Sequence, residues 1–221
     1  MSPSEVRIPF GKVELAGELI VPAGAPGLVL FAHGSGSSRL SPRNRFVAGI
    51  VRDAGLGTLL FDLLTREEEE VDEVTAELRF NIPLLAERLL AATRWVRGHL
   101  ERADLSLGYF GASTGAAAAL VAAAAAPEEI AAIVSRGGRP DLAGDALPRV
   151  RAPTLLIVGG FDTPVIAMNR EAGARLGCEW ELTIVPGATH LFEEPGTLDQ
   201  VARLAARWLR RFLASPRTLR P

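Results

Sequence analysis

Tyr109-Phe110-Gly111-Ala112-Ser113-Thr114-Gly115, followed at once by a run of alanines, is the stretch whose reading decides the fold. Leu105 to Phe110 alternates and ends in aromatics, as a strand does, while Ala116 to Ala126 is almost pure helix former. The Gly-x-Ser-x-Gly between them therefore falls on a tight strand-to-helix turn centred on Ser113. At such a turn the serine takes a strained, positive-φ backbone. Side chains two residues to either side would meet neighbouring backbone, hence glycine at 111 and 115. The turn exposes the Ser113 hydroxyl at the tip of a sheet and aims the Thr114 amide at the same point, half of an oxyanion hole. The stretch reads as a nucleophile elbow. A membrane span is the weaker reading: positions 109 to 126 carry no charge, but they fall short of the roughly 20 apolar residues a bilayer requires.

Outward from the elbow, strands and helices alternate. Before it, Glu5 to Pro9 and Lys12 to Val21 read as an antiparallel hairpin about Gly11 with one wet face. Gly27 to Ala32 and Gly57 to Phe61 are apolar throughout, as strands covered on both faces are, with a helix from about Arg43 to Ala54 between them. Thr65 to Glu70 reads as a solvated acidic loop or a helix N-terminus, and Phe80 to Leu100 as an amphipathic helix ending near a surface or capping His99. After it come strands at Ile130–Ser135, Thr154–Val158 and Glu179–Val185. A helix runs from the Thr163 turn to about Leu176, and another from about Leu198 to Leu213 closes the chain. The alternation predicts a mostly parallel twisted sheet with an N-terminal antiparallel hairpin and helices on both faces.

The chain's 221 residues suffice for one sizeable core, so a single domain over 1–221 is expected. A formal charge of −2 and the absence of a basic patch argue against a nucleic-acid partner. Met1 to Glu5 lacks a signal-peptide pattern and Cys178 is the single cysteine, which fits a cytoplasmic protein. Three scattered histidines and one cysteine give no metal-ligand spacing, and no cofactor is expected.

In open parallel sheets ligands gather at the carboxyl ends of strands, so residues that directly follow strands are the candidates. Ser113, Asp162 and His190 each follow one, in the chain order Ser, Asp, His. His33-Gly34-Ser35-Gly36 follows another. A serine hydroxyl is a poor nucleophile at neutral pH. His190 is the candidate to take its proton, and Asp162 the carboxylate that orients the imidazole. The amide of Ser35, with Gly36 as second candidate, would complete the oxyanion hole opposite Thr114. His33 reads as a brace for that loop. Asp162 has a competing reading as the N-cap of the helix after it, and His190 as a plain loop histidine.

These motifs, together with Gly160-Phe161-Asp162-Thr163-Pro164-Val165 and Ala188-Thr189-His190, resemble those of the α/β-hydrolases over the whole chain. They are most similar to the small, cap-less, dienelactone-hydrolase-like branch. Ser37 to Asn44 and Arg136 to Ala143 resemble a bacterial subgroup whose members are sometimes fused to phosphoribosyltransferases. The resemblance implies a serine hydrolase acting on a small-molecule ester, with no nucleic acid or membrane partner. One departure stands out: dienelactone hydrolases use cysteine as nucleophile, whereas this elbow carries Ser113, which favours general ester chemistry over dienelactone.

About 18 residues separate Ser135 from Thr154, too few for a cap domain, so an open site for short acyl groups is expected. Phe192 and Leu63 are candidates for an apolar wall, and Arg136, with Arg139, Arg39 and Arg43 behind it, for a substrate carboxylate. For the arginines the competing reading is a structural ion pair with Asp141 or Asp62. Lactonase, thioesterase and amidase chemistry would use the same residues, and a non-catalytic ligand-binding protein is the alternative of a different class. The closing helix and apolar residues near Trp180 and Trp208 are candidates for a homodimer surface.

Overall fold

The computed structural model describes residues 3–100, 102 and 104–214; Met1 and Ser2, which the localisation argument used, lie outside the described residues. Among these residues eight strands form one sheet: β1 Ser4–Phe10, β2 Val13–Ile20, β3 Gly27–Ala32, β4 Gly57–Phe61, β5 Ser106–Ala112, β6 Ile130–Arg136, β7 Thr154–Gly159 and β8 Trp180–Val185. Their spatial order is β1-β2-β4-β3-β5-β6-β7-β8. β1 and β2 form the expected antiparallel hairpin, β2 also runs antiparallel to β4, and the remaining pairs are parallel.

From β3 the chain first moves one way to β4, then returns past β3 to β5. A doubly wound sheet opens a crevice at such a reversal. The loops leaving β3 and β5 carry Ser35 and Ser113, so both sit at that crevice.

Among the described residues six helices cover the sheet: α1 Pro42–Asp53, α2 Arg66–Thr75, α3 Ile82–His99, α4 Thr114–Ala125, α5 Thr163–Ala174 and α6 Thr197–Leu213. One core layer packs Val29, Phe31, Phe110 and Val134 against α1 and α6; the other packs Leu30, Tyr109 and Ile133 against α3 and α4. α4 is apolar on every side, and Ala116 to Ala119 have no exposed surface, as befits a helix enclosed by its neighbours. Between β6 and β7 the chain forms 3-10 turns over Pro140–Arg149, broken at Gly144 (φ 51), which no periodicity announces. No cap domain is inserted there, as expected.

The acidic run starts a helix. Thr65 and Glu68 make a reciprocal capping box, in which the Thr65 amide donates to Glu68 at 2.8 Å. Glu68 also receives both terminal nitrogens of the buried Arg88 at 2.6 Å, and Arg88 donates in turn to the Leu63 carbonyl. Removing Glu68 leaves a buried cation without its carboxylate. Glu68→Ala is therefore expected to cost about 3 kcal/mol in urea unfolding, and Glu68→Gln with Arg88→Met much less than that.

Trp208 does not offer a surface. It is 6% exposed and its indole N–H donates to the Pro153 carbonyl, because the apolar stripe of α6 turns inward onto β5 and β6; Trp180 on the edge strand is 37% exposed. His99 stacks on Trp95 with ring centres 4.3 Å apart. Among the described residues no helix is long and apolar enough to cross a membrane.

Candidate active site

Ser113 stands between β5 and α4 with φ 50 and ψ −121, one of three non-glycine residues with positive φ among the described residues. The surroundings hold it there. Its amide donates to the Arg136 carbonyl at 3.3 Å, and its own carbonyl accepts from Ala116 and Arg139. A Cβ at Gly111 would lie 2.4 Å from Ala116 Cα, and one at Gly115 would lie 2.2 Å from the Ala32 carbonyl oxygen. Both glycines of the motif are thus places where backbones touch.

The loop after β3 is built against the elbow. A Cβ at Gly34 would lie 3.0 Å from Ser113 Cβ. Ser37 N–H closes a turn onto the Gly34 carbonyl, with Gly36 at φ 63 in the third position, where type II turns favour glycine. Ser35 Oγ and Thr114 Oγ1 are hydrogen-bonded at 3.0 Å, which ties together the two residues expected to supply oxyanion amides. Thr114 is the first residue of α4, so its N–H has no acceptor within the helix.

His33 braces this loop through both ring nitrogens. Nδ1–H donates to the Gly34 carbonyl at 3.0 Å and Nε2 accepts from the Leu63 amide at 2.9 Å, which requires the neutral ring. Burial pushes its pKa below the ordinary value, against the opposing pull of the Gly34 carbonyl and Asp62. The unfolded chain takes up a proton near pH 6.5 and the folded one only at lower pH, so His33 costs the fold stability as pH falls below that point. The expected loss is up to about 1.4 kcal/mol per pH unit, and it should disappear in His33→Gln when urea unfolding is compared between about pH 5 and 7.

Asp162 and His190 are in contact. Asp162 Oδ2 lies 2.6 Å from His190 Nδ1; Asp162 occupies the N-cap position of α5 but makes no side-chain bond to that helix, so its carboxylate is left for the histidine. The loop after β7 lies flat on the loop after β8: Phe161 N–H donates to the Ala188 carbonyl, and a Cβ at Gly159 would stand 2.5 Å from two carbonyl oxygens there. Among the described residues no hydrogen bond joins Ser113 Oγ to His190. The two flank one turn, since Ser113 bonds the Arg136 carbonyl and a Cβ at Gly137 would lie 3.5 Å from His190 Cε1. Catalytic hydrogen bonds often close only around substrate.

Leu63 is fully buried and Phe192 is 1% exposed. Leu63 lines a cavity of about 190 Å³ with Ser35, Thr114, Leu64, Leu85 and Glu69. Burial, then the charges of Asp62 and Glu73, push the Glu69 carboxyl above its ordinary range. Phe192 has φ 57, strained for a bulky residue, and its ring is anchored in the core under α1 and α6, which fixes the chain two residues past His190. Arg39 gives its amide and guanidinium to Asp62, and Arg139 pairs with Asp141. Arg136 pairs with neither.

Two supports went unread in the sequence. Glu194 accepts from the Thr189 amide and hydroxyl and so holds the histidine loop; Asn169 donates to the Gly138 carbonyl, bracing the turn between Ser113 and His190. A carboxylate or amide a turn away from a glycine loop is the only signal either leaves.

A model of the dienelactone hydrolase family matches residues 16–215. The dienelactone hydrolase of Anabaena variabilis superposes with a TM-score of 0.92 at 59% identity, over 96% of this chain and 99% of that one. A lidless α/β serine hydrolase of Xanthomonas campestris superposes at 0.77 and 20% identity, over 97% and 96%, which speaks to the fold alone. A Mycobacterium tuberculosis protein with the provisional name phosphoribosyl transferase is 56% identical over 212 residues. These are 96% of this chain but 47% of that protein, so the chain spans about half the length of this relative. With an eight-stranded, mostly parallel sheet in the α/β-hydrolase fold and a family match over most of its length, the chain belongs to the dienelactone hydrolase family.

Proposed function

We propose that this hydrolase is a serine esterase that cleaves small carboxylic esters through an acyl-enzyme. The observation that carries the reading is the 2.6 Å contact of His190 Nδ1 with Asp162, beside a serine held at φ 50. Asp162 accepts from Nδ1–H, which leaves Nε2 basic. Ser113 Oγ attacks the ester carbonyl carbon as its proton passes to His190 Nε2, and the carbonyl oxygen becomes the oxyanion. The Thr114 and Ser35 amides, with Gly36 next in line, receive that charge; each such donor is worth roughly 3 kcal/mol in the transition state. His190 returns the proton to the departing alkoxide. Water then repeats the sequence on the acyl-serine and frees the acid.

The Ser35–Thr114 hydroxyl contact supports the oxyanion assignment, because it fixes the spacing of the two amide-bearing residues before substrate arrives. A cavity of about 190 Å³ lined by Ser35, Thr114, Leu63 and Leu85 suits a short acyl group. Lactones, thioesters and amides present the same carbonyl to the same groups, so hydrolysis of an ester is the first property to measure. The test is incubation with a fluorophosphonate followed by mass spectrometry, beside hydrolysis of 4-nitrophenyl acetate and butyrate. One adduct on Ser113 together with turnover is expected; neither adduct nor turnover would return the chain to a ligand-binding role.

A further inference from the structure

Arg136, the last residue of β6, has Nε and Nη1 buried and without an acceptor among the described residues, and the residue as a whole is 8% exposed. A guanidinium is a permanent cation with five donors, and proteins seldom bury one without a partner. The acids that were its candidate partners are engaged elsewhere, Asp62 by Arg39 and Asp141 by Arg139.

Its surroundings are defined. Arg136 pairs with Ala112 across the sheet, its carbonyl accepts from Ser113, and the next residue lies against His190. Ala132 and Val134 face the layer under α1 and α6, so strand alternation sends Arg136 to the same side. There Arg43 of α1 is close enough for its charge to act on Arg136. Burial first, then this second cation, push the Arg136 guanidinium down to about 10, still protonated at neutral pH. Arg43 has a buried, unpartnered Nε of its own, and its Nη1 reaches Glu193 at 3.2 Å. The Glu193 side chain is 63% exposed and free to move aside. Of these two guanidiniums on the α1 side of Ser113, Arg43 holds one exposed carboxylate and Arg136 has none. On the α3 side the cavity is rimmed by Glu69 and Glu73.

We propose that Arg136 and Arg43 form an oxyanion-binding site beside the nucleophile, for a carboxylate or phosphate carried on the substrate, with Glu193 holding Arg43 until that group arrives. The assignment rests on the serine-esterase reading. It orients the substrate: the anionic end lies toward α1 and α6, and the neutral end toward the acid-rimmed cavity, where a second anion would be repelled.

The test uses the full chain and matched ester pairs that differ by one negative charge: 4-nitrophenyl adipate monoester against the hexanoate, and 4-carboxyphenyl acetate against phenyl acetate. In at least one pair kcat/KM should favour the anion by about tenfold or more, as a charge-assisted bidentate contact provides. The preference should fall at least tenfold in Arg136→Met, be partly kept in Arg136→Lys and weaken in Arg43→Met. A second readout needs no turnover: succinate or inorganic phosphate should raise the melting temperature of Ser113→Ala protein saturably, and not that of Ser113→Ala with Arg136→Met.

Neutral esters cleaved without any preference for the anion, and no saturable stabilisation, would overturn the site while leaving the esterase. Stabilisation by free anions without preference in either pair would overturn the substrate-borne role. Anion binding that depends on Arg136, in a protein that cleaves no ester, would overturn the esterase and keep the site. Should Arg136→Met fail to fold, the buried cation is structural; an unchanged preference in Arg43→Met would then overturn the pair.

Discussion

Replacing Ser113 with alanine is expected to lower kcat for 4-nitrophenyl butyrate by about 10⁵-fold or more, to the level of the solution reaction assisted by binding alone. The loss should be this large because the protein's one thiol cannot take over. That thiol, Cys178, lies beside Thr154, the first residue of β7, and so at the end of the sheet opposite the strand ends that carry Ser113, Asp162 and His190. Burial also raises the Cys178 pKa, keeping the thiol protonated at neutral pH. Iodoacetamide should therefore leave the unmodified enzyme active while a fluorophosphonate silences it. Progress curves of wild type and Ser113→Ala, each with and without the two reagents, check both statements. Residual activity within about tenfold of wild type would mean that another group attacks the ester.

Gly115→Ala is expected to be the most damaging single-methyl addition near the site. The new Cβ would stand 2.2 Å from the Ala32 carbonyl oxygen and 2.5 Å from that of His33. Neither can retreat cheaply: Ala32 ends β3, bonded between β4 and β5, and His33 is locked by hydrogen bonds at both nitrogens. The outcome should be a destabilisation beyond about 4 kcal/mol or an insoluble protein. Gly36→Ala separates steric contact from backbone strain. It has φ 63 with open space around the added methyl, and should cost only about 1 kcal/mol. Soluble yield and urea midpoints of the two variants make the comparison. Equal midpoints would mean that α4 and the β3 loop are not packed as tightly as the backbone approach requires.

Period and punctuation were enough to read all eight strands from the sequence, five of the helices and the positions of Ser113, Asp162 and His190. Apolar runs such as Gly27–Ala32 and Gly57–Phe61 have one physical explanation, burial on both faces, and the glycines at 111 and 115 mark a turn that few other residues could make. What stayed illegible depended on partners distant in sequence. Thr65-Arg66-Glu67-Glu68 reads as a solvated loop or a helix N-terminus, and the structure shows the second; its pairing with Arg88 from α3, and the cavity wall that α2 then makes, have no signal in the run itself. Trp208 looked available because the closing helix is amphipathic, yet its ring falls on the inner stripe. The 3-10 turns at Pro140–Arg149 have no period to detect. Arg136 was one of several arginines on strand-end loops; only the pairing of Arg39 with Asp62 and Arg139 with Asp141 singles it out.

The enclosed alanines of α4 bear on how such a protein can diverge. Ala116 to Ala119 have no exposed surface and lie within the core, and overpacking a dense core costs about 1–3 kcal/mol per step. Selection for a new substrate cannot act by reshaping the mount beneath the serine without undoing the fold. It is left the segments after β4 and β8, where Glu69, Glu73 and Glu193 reach the surface. Descendants of this chain should therefore drift in those two segments while the small-residue helix stays almost unaltered.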